Sequence, residues 1–544
     1  MAAGELVRSA LQAMSWAQLV VATAGSLAAY QVLDQAYGYW KRSRSPLRDL
    51  PGPRTDGNFL FGHLRMMFRG DDNEVQRGWA DEYGATFSIR GMLGKYQLVT
   101  TDDRAITHIL FASHIFQKPE SQRRGIVRFL GEGILFAEGA QHRDQRRIIN
   151  PAFGFSQVRD MTEIFLEKAA QLRDIWSQKC IASGGTTRLD ALDWLGKATL
   201  DAIGKAGFDY EFGTLNENGT KNELAAAFEG VMRRDTTPLQ QIRVLLNTQF
   251  PLHRVIFSKK KMDEIGMRIV QEKKREILDE MGAGRIEKNT VGGKDLISLL
   301  LRANLAADLP PSQRLSDSEV LAQIPTFIVA GHATTSNATA WAMYSLAVHP
   351  ETQMKLRAEL HQVGTDAPAL DVLNALPYLD YVTRETLRLH SVVLLVPREA
   401  QDDDVVPLET PIKDRNGNTI SSIKVRKGDE IQVPIALINR SKAIWGADAD
   451  EFRPERWERP PAEASALPGI TPNLMTFLGG PRSCVGHRFA VAEMKAFLFH
   501  IVRGFEFELA VPRSELWTRT GAILRPQLRE DNSIQLPLYI TPVQ

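Results

Sequence analysis

The segment Phe477-Leu478-Gly479-Gly480-Pro481-Arg482-Ser483-Cys484-Val485-Gly486 decides how the rest of the chain is read. Its glycines and proline predict a tight loop, and the run HRFAVAEMKAFLFHIV at 487–502 has the spacing of an amphipathic helix. Cys484 thus stands in a glycine-rich loop just before a helix. A thiolate there receives backbone N–H groups and the positive helix end, which lower the thiol pKa, and Arg482 adds a nearby cation. Those are the conditions for a nucleophile or a soft metal ligand. An inert buried cysteine in a tight turn is the alternative that the loop alone leaves open.

Upstream, YLDYVTRETLRLH at 378–390 reads as a helix that places Glu385 and Arg388 three apart on one face, where they can pair. Further back, Ser316-Asp317-Ser318-Glu319 is a capping box, and the helix it starts runs to about residue 347, stopping before Pro350. That is roughly 45 Å of helix at the usual rise, with Pro325 inside it expected to distort it. From Ile324 to Leu346 it carries no formal charge, so it must run through a protein core or a membrane. Its Thr, Ser and Asn residues, with Gly331 and His332 in the middle, favour a core that carries a site. The run GAQHRDQRR at 139–147 stacks His142 and Arg146 on one helix face; such a basic run is otherwise a solvated face or a docking patch.

The chain of 544 residues is 43% hydrophobic and 24% charged, so it has ample material for a large core. Two cysteines exclude a disulfide scaffold and Cys-rich metal clusters. A formal charge of +1 argues against a nucleic-acid partner recruited by bulk charge. Between Arg8 and Asp34 lie 25 residues without a charge, enough to span a hydrocarbon core of about 30 Å. Trp16, Tyr37, Tyr39 and Trp40 flank it as an aromatic belt. The segment reads as a membrane anchor. A surface-lying amphipathic helix, suggested by Gln12, Gln18 and Gln31, and a buried core helix are the alternatives; it is too long and wrongly flanked for a cleaved signal peptide. Lys41, Arg42, Arg44 and Arg48 follow it, so the remaining chain is expected on the cytosolic side, leaving the match Asn218-Gly219-Thr220 unglycosylated. Pro46, Pro51, Gly52 and Pro53 then predict a stiff hinge.

No internal repeat or long linker divides the remainder. ATFSIRGMLGKYQLVTT at 85–101 and the turn Asp414-Arg415-Asn416-Gly417-Asn418 predict hairpins, while 140–380 is dominated by helical patterns. The fold class is α+β, predominantly α.

Taken together, these segments resemble the cytochrome P450 family. The loop matches its haem-thiolate pattern, Phe-x-x-Gly-x-Arg-x-Cys-x-Gly, at Phe477, Gly480, Arg482, Cys484 and Gly486. Glu385-Thr386-Leu387-Arg388 matches its Glu-x-x-Arg, and Pro454-Glu455-Arg456-Trp457 supplies the arginine that completes a buried trio, Glu385, Arg388 and Arg456. Ala330-Gly331-His332-Ala333-Thr334-Thr335 resembles the oxygen-activation segment, with one departure: Ala333 stands where the family has Asp or Glu. His142 and Arg146 stand where the family often has Trp-x-x-x-Arg. The resemblance covers the chain from Pro51 to its end and is closest to fungal members of the eukaryotic microsomal type.

The resemblance implies one large haem domain with small sheets over 55–544, preceded by an N-terminal transmembrane helix within the anchor and basic flank at 1–45, and the hinge at 46–54. It implies haem b (iron protoporphyrin IX) with Cys484 as axial iron ligand. Phe477 and Gly486 would support the ligand loop, and His142, Arg146, Arg398 and Arg482 would hold the propionates. Gly331 would admit a small molecule to the backbone, and Thr334 with Thr335 would relay protons. Candidate pocket walls are Phe327, Ala330, Val392 and Val396, with the stretch from Ile126 to Leu135. The implied reaction inserts one oxygen atom from O2 into a small apolar substrate, terpenoid, steroid-like or aromatic. Its electrons would come from an NADPH-cytochrome P450 reductase, with cytochrome b5 as a further donor, docking near Arg488 and Lys495. The implied location is the endoplasmic reticulum membrane, as a single-pass protein in contact with membrane lipid. Two rival readings differ in class: a haem-thiolate isomerase or dehydratase that needs no reductase, favoured by the missing acid at 333, and a non-enzymatic haem-binding sensor. Cys180, in SQKCIASGG, matches no motif.

Overall fold

The capping box at Ser316 forms as its spacing predicts. The Glu319 amide donates to Ser316 Oγ, and Glu319 Oε2 accepts from the Ser316 amide at 3.0 Å. The helix it opens continues through Pro325 to Val348, as one element of 32 residues. This computed structural model describes residues 45–54, 61–67, 73–216, 222–224, 226–227, 253–282, 295–305, 310, 313–518 and 523–543, with isolated residues before 30. The expected transmembrane helix and the Asn218 match lie outside them, apart from those isolated positions. Among the described residues no helix is long and apolar enough to cross a membrane.

In chain order the longer helices are α1 (Glu74–Tyr83), α2 (Asp103–Phe111), α3 (Glu120–Leu130), α4 (Gly139–Ile149), α5 (Phe155–Ala182), α6 (Ala191–Phe208), α7 (His253–Gly282), α8 (Leu296–Leu305), α9 (Asp317–Val348), α10 (Pro350–His361), α11 (Pro377–Leu389) and α12 (His487–Gly504). The long helix α9 packs along α6 and α12, and α12 also packs on α5. Aromatic side chains knit the last pair: Phe165 of α5 meets Phe489 of α12 edge-on at 4.6 Å between ring centroids.

The strands form small sheets beside the helices, one of them pairing β4 (Thr187–Asp190) with the strand Pro537–Pro542. One five-stranded sheet has the order β1-β2-β8-β5-β3, from Thr86–Arg90, Tyr96–Thr100, Glu430–Val433, Val396–Ala400 and Phe116–Gln117. Its β2 and β8 run parallel, Gln97 opposite Glu430, so segments far apart in the chain share one sheet. The hairpin at 86–100 forms in register Phe87↔Val99. The second expected hairpin is β6 (Asp404–Lys413) with β7 (Thr419–Val425), closed by the Asp414 amide on Asn418 O at 2.9 Å.

Residues 46–54 correct the expectation of a hinge. Leu47 and Leu50 are buried, the Ser88 amide donates to Pro51 O at 2.8 Å, and Arg415 Nε donates to Leu50 O at 2.7 Å. Two apolar side chains hold the segment against the first sheet, so its prolines stiffen a docked strap rather than a free linker.

Candidate active site

Cys484 sits where the loop is most constrained. Its amide donates to Phe477 O at 2.9 Å, folding the loop back on itself. Gly479 has no room for a side chain, since a Cβ there would stand 1.7 Å from Pro468 O, and Gly480 adopts φ +68°. The Cys484 side chain has open surface although dense protein surrounds it, so it borders an internal space. The structure reverses the expected thiol acidity: burial pushes the thiol up, opposed by the Gly486 backbone N–H and the charge of Arg146. Arg482 does not supply that charge. It turns away to form an ion pair with Glu138 and donates to Ala137 O at 2.6 Å.

Arg146 reaches the loop from α4, donating to Ser483 O at 2.5 Å. His142, one turn earlier, is buried and held neutral, its pKa lowered to about 3 by burial and then by Lys118, Arg146 and Arg143. Arg398 on β5 is 4% exposed, donates to Pro397 O at 2.9 Å, and is pulled down to about 10 by burial. Lys118, which no motif marks, joins them: burial and then the charges of Arg482, Arg398 and Arg123 hold it well below the usual lysine range. Glu138 is the carboxylate that pairs with this group, 3.3 Å from Lys118 Nζ. Convergent, mutually repelling buried cations are what a dianionic group needs, and with a thiol opening on internal space they fit a haem with two propionates. Lys118 was illegible in sequence because no motif marks it, and Arg398 and Arg482 join it only from segments hundreds of positions away.

The supporting trio is assembled. Arg388 donates to Glu385 through Nε at 2.9 Å and Nη2 at 2.8 Å, and Arg456 Nε donates to Glu385 Oε1 at 2.8 Å. Trp457 Nε1 and the Arg453 amide add two donors that sequence reasoning missed, at 3.0 and 2.9 Å. Arg388 spends its remaining N–H groups on the carbonyls of Asn439, Ala449 and Glu451. Every charge in this fully buried network is therefore hydrogen-bonded.

On α9, Ala330 is exposed and Thr334 half-buried in a helix whose other faces are largely closed; Thr334 Oγ1 donates to Ala330 O at 2.6 Å. Gly331 departs from expectation. A Cβ there would meet Ile203 of α6 at 3.0 Å, so the glycine permits close helix packing rather than access for a small molecule. His332 lies near Gly196 of α6, its pKa lowered to about 4 by burial and by Arg525. Thr335 is buried, on a different face from Thr334. Phe327 and Val392, expected as pocket walls, belong to the core: Phe327 packs edge-on against Phe153 at 5.5 Å, and Val392 O accepts from the Leu524 amide. Ala330 and Val396 keep open surface, and Gly133 of the expected 126–135 wall lies against Ala322 and Thr326 of α9. Lys495 also leaves its expected place, being buried and bonded to Asp380 at 2.8 Å, whereas Arg488 is exposed. Cys180 is a core residue donating to Ile540 O. A basic depression of about 770 Å³ instead lies between α4 and the ligand loop, lined by Arg143, Arg147, Asn150 and Pro481 among others.

Comparison with known proteins agrees with this geometry. Residues 51–530 match the family described as Cytochrome P450. The chain is 48% identical to cytochrome P450 monooxygenase 205 of Postia placenta, over 92% of this chain and 93% of that one. It is 44% identical to cytochrome P450 monooxygenase 128 of the same fungus, over 91% and 93%. It is 33% identical to ganoderic acid synthetase CYP5150L8 of Ganoderma lucidum, over 93% and 97%.

Proposed function

The chain belongs to the cytochrome P450 family, is a monooxygenase that uses haem b, and on that premise we propose that it hydroxylates a small apolar substrate, terpenoid, steroid-like or aromatic, at the space bordered by Cys484 and the open face of α9. The observation that carries the reading is a thiol on a rigid loop, enclosed by protein yet open at its surface, beside a cluster of largely enclosed cations. Ganoderic acid synthesis, for which one relative is named, supports the choice of substrate class.

When bound, the haem supplies the oxidising chemistry, which thiolate ligation favours. The chain's own residues do the rest. Cys484 would ligate the iron, its position fixed by the loop hydrogen bond to Phe477 O. Lys118, His142, Arg146, Arg398 and Arg482 would bind and orient the two carboxylates, His142 as a neutral donor. Ala330 would present a small apolar wall, and Thr334 a hydroxyl beside it that can hold a proton. The trio around Glu385 would keep the segments it joins, α11 and residues 439–457, rigid.

The reductase would dock on the basic depression beside the loop, where exposed Arg143 and Arg147 present charge to an acidic partner, with cytochrome b5 as an alternative user of the same face. Residues 9–33 would anchor the chain in the endoplasmic reticulum membrane with the catalytic domain cytosolic; their charge-free composition and the basic residues after them support this.

The experiment is turnover of a library of apolar compounds by the holoenzyme with NADPH and reductase, read by mass spectrometry, beside the ferrous–carbon monoxide spectrum. A thiolate-type Soret band with products one oxygen heavier is the expected outcome. A band of the non-thiolate type overturns the ligand assignment, and rearranged products of unchanged mass without NADPH use would install an isomerase instead. Charge reversal at Arg143 and Arg147 should raise the KM for reductase about tenfold and weaken its salt dependence; unchanged kinetics would remove the docking face.

A further inference from the structure

A second cavity, of about 910 Å³, opens beside the last turns of α9, and its size is that of sites that enclose small molecules. Its wall begins at Trp341, roughly two helical turns beyond Thr334. That wall is aromatic. The rings of Trp341 and His390 stack 4.7 Å apart and 8° from parallel, and Tyr344 meets them edge-on at 5.3 and 5.9 Å. His390 is enclosed by protein yet keeps open surface, with Ser345 Oγ 3.1 Å from its Nε2. Trp517, from the two-stranded sheet of Leu516–Thr518 and Pro526–Leu528, adds a further half-buried ring.

The rim is cationic. Arg77 and Arg440 share one carboxylate, Asp450, at 2.8 and 2.7 Å, and Arg453 pairs with Asp448 at 2.6 Å. Arg529 lies over the Trp517 ring at 5.5 Å, and its Nε donates to Ser514 O at 2.9 Å. Arg513 is exposed and enters no ion pair among the described residues. Glu74 and Glu451 also line the cavity, and the arginines still outnumber the acids. Their positive field reaches inside: burial and then the charges of Arg440, Arg388, Arg513 and His349 lower the His390 pKa to about 3 and hold the ring neutral. Two N–H groups on lining residues, Trp517 Nε1 and Arg77 Nε, are buried without an acceptor, which folded proteins rarely tolerate.

We propose that this cavity binds a flat apolar acid, its rings against Tyr344, His390 and Trp517 and its carboxylate on Arg513. A guanidinium offers a carboxylate two parallel N–H groups, a match that neither an alcohol nor an amine makes. An amine would also be repelled by the rim. Fused rings suit the wall better than a flexible chain does, because stacking needs flat faces and a rigid body loses little conformational freedom on binding. The site is separate from the space beside Cys484, so its ligand is held and not turned over there.

The test titrates the holoenzyme with 2-naphthoate and, in parallel, with the neutral 2-naphthalenemethanol, by calorimetry. The Soret band is recorded alongside to report any ligand that reaches the haem instead. The acid should bind at least about tenfold more tightly than the alcohol, without moving the Soret band. Arg513→Gln should remove that preference, raising the Kd of the acid about tenfold and leaving that of the alcohol unchanged. Val348→Phe, which narrows the cavity from α9, should weaken both ligands by a similar factor. Should Val348→Phe fail to fold, Arg513→Gln at its exposed position decides alone. No binding by wild type, equal affinities for acid and alcohol, or an acid affinity untouched by Arg513→Gln or by folded Val348→Phe overturns the proposal. Binding that shifts the Soret band and persists in Arg513→Gln places the acid beside Cys484 and overturns it too.

Discussion

At the scale of single residues, the carboxylate of Glu385 does the most concentrated work. Two guanidinium groups, an indole N–H and a backbone amide converge on it, and the one other carboxylate that reaches either guanidinium is Asp448, 3.4 Å from Arg456 Nη1. Replacing it with alanine leaves buried Arg388 without a carboxylate and Arg456 with only Asp448, which costs about 3–5 kcal/mol. Glu385→Ala is therefore expected to yield little folded holoprotein, with a urea midpoint well below wild type; a midpoint within error of wild type would refute the role. Arg388 and Glu385 were legible in sequence as a pair because i,i+3 neighbours share a helix face. Trp457 and Lys118 were not, since Trp457 meets Glu385, and Lys118 meets Arg398 and Arg482, only after distant segments dock.

Among elements, the ligand loop and the long helix show two uses of small residues. Gly479 lies so close to Pro468 O that a methyl group cannot enter without moving backbone. Gly479→Ala is expected to abolish the thiolate-type carbon monoxide band while circular dichroism still reports the helices; retention of the band at wild-type intensity would contradict it. Gly331 instead lets α9 and α6 approach, with Ile203 filling the space a side chain would take. Capping chemistry located the start of α9 from four letters of sequence. Which of its faces is open could not be read the same way, because an uncharged helix carries no amphipathic pattern to orient it.

For the molecule as a whole, buried titratable groups set a pH window for stability. Burial depresses His332 and His500 to about 4 and His390 to about 3 in the folded state, against about 6.5 unfolded. Between those values the unfolded chain binds more protons, so this stability is present above about pH 6.5 and is lost as pH falls through the folded values. Glu493 acts oppositely: its folded value of about 8 lies above the unfolded value of about 4.3, so its contribution is full at low pH and lost as pH rises through 8. Urea midpoints should therefore fall on both sides of a maximum near about pH 6.5–7, and Glu493→Gln should remove the alkaline limb alone. A midpoint independent of pH would sink both assignments.

Local signals determined what this chain is. The spacing around Cys484, the Glu-x-x-Arg pair, the capping box and the turn residues are each set within a few positions, where backbone geometry and helix periodicity act directly. Tertiary structure alone decided which cations converge near the thiol, that residues 46–54 are docked, that Phe327 and Lys495 are core residues, and that rings and arginines from distant segments enclose a cavity beside the end of α9. Those outcomes depend on contacts across hundreds of residues, such as β2 against β8. A burial pattern arises from packing the whole chain at once, and no short window of sequence contains it.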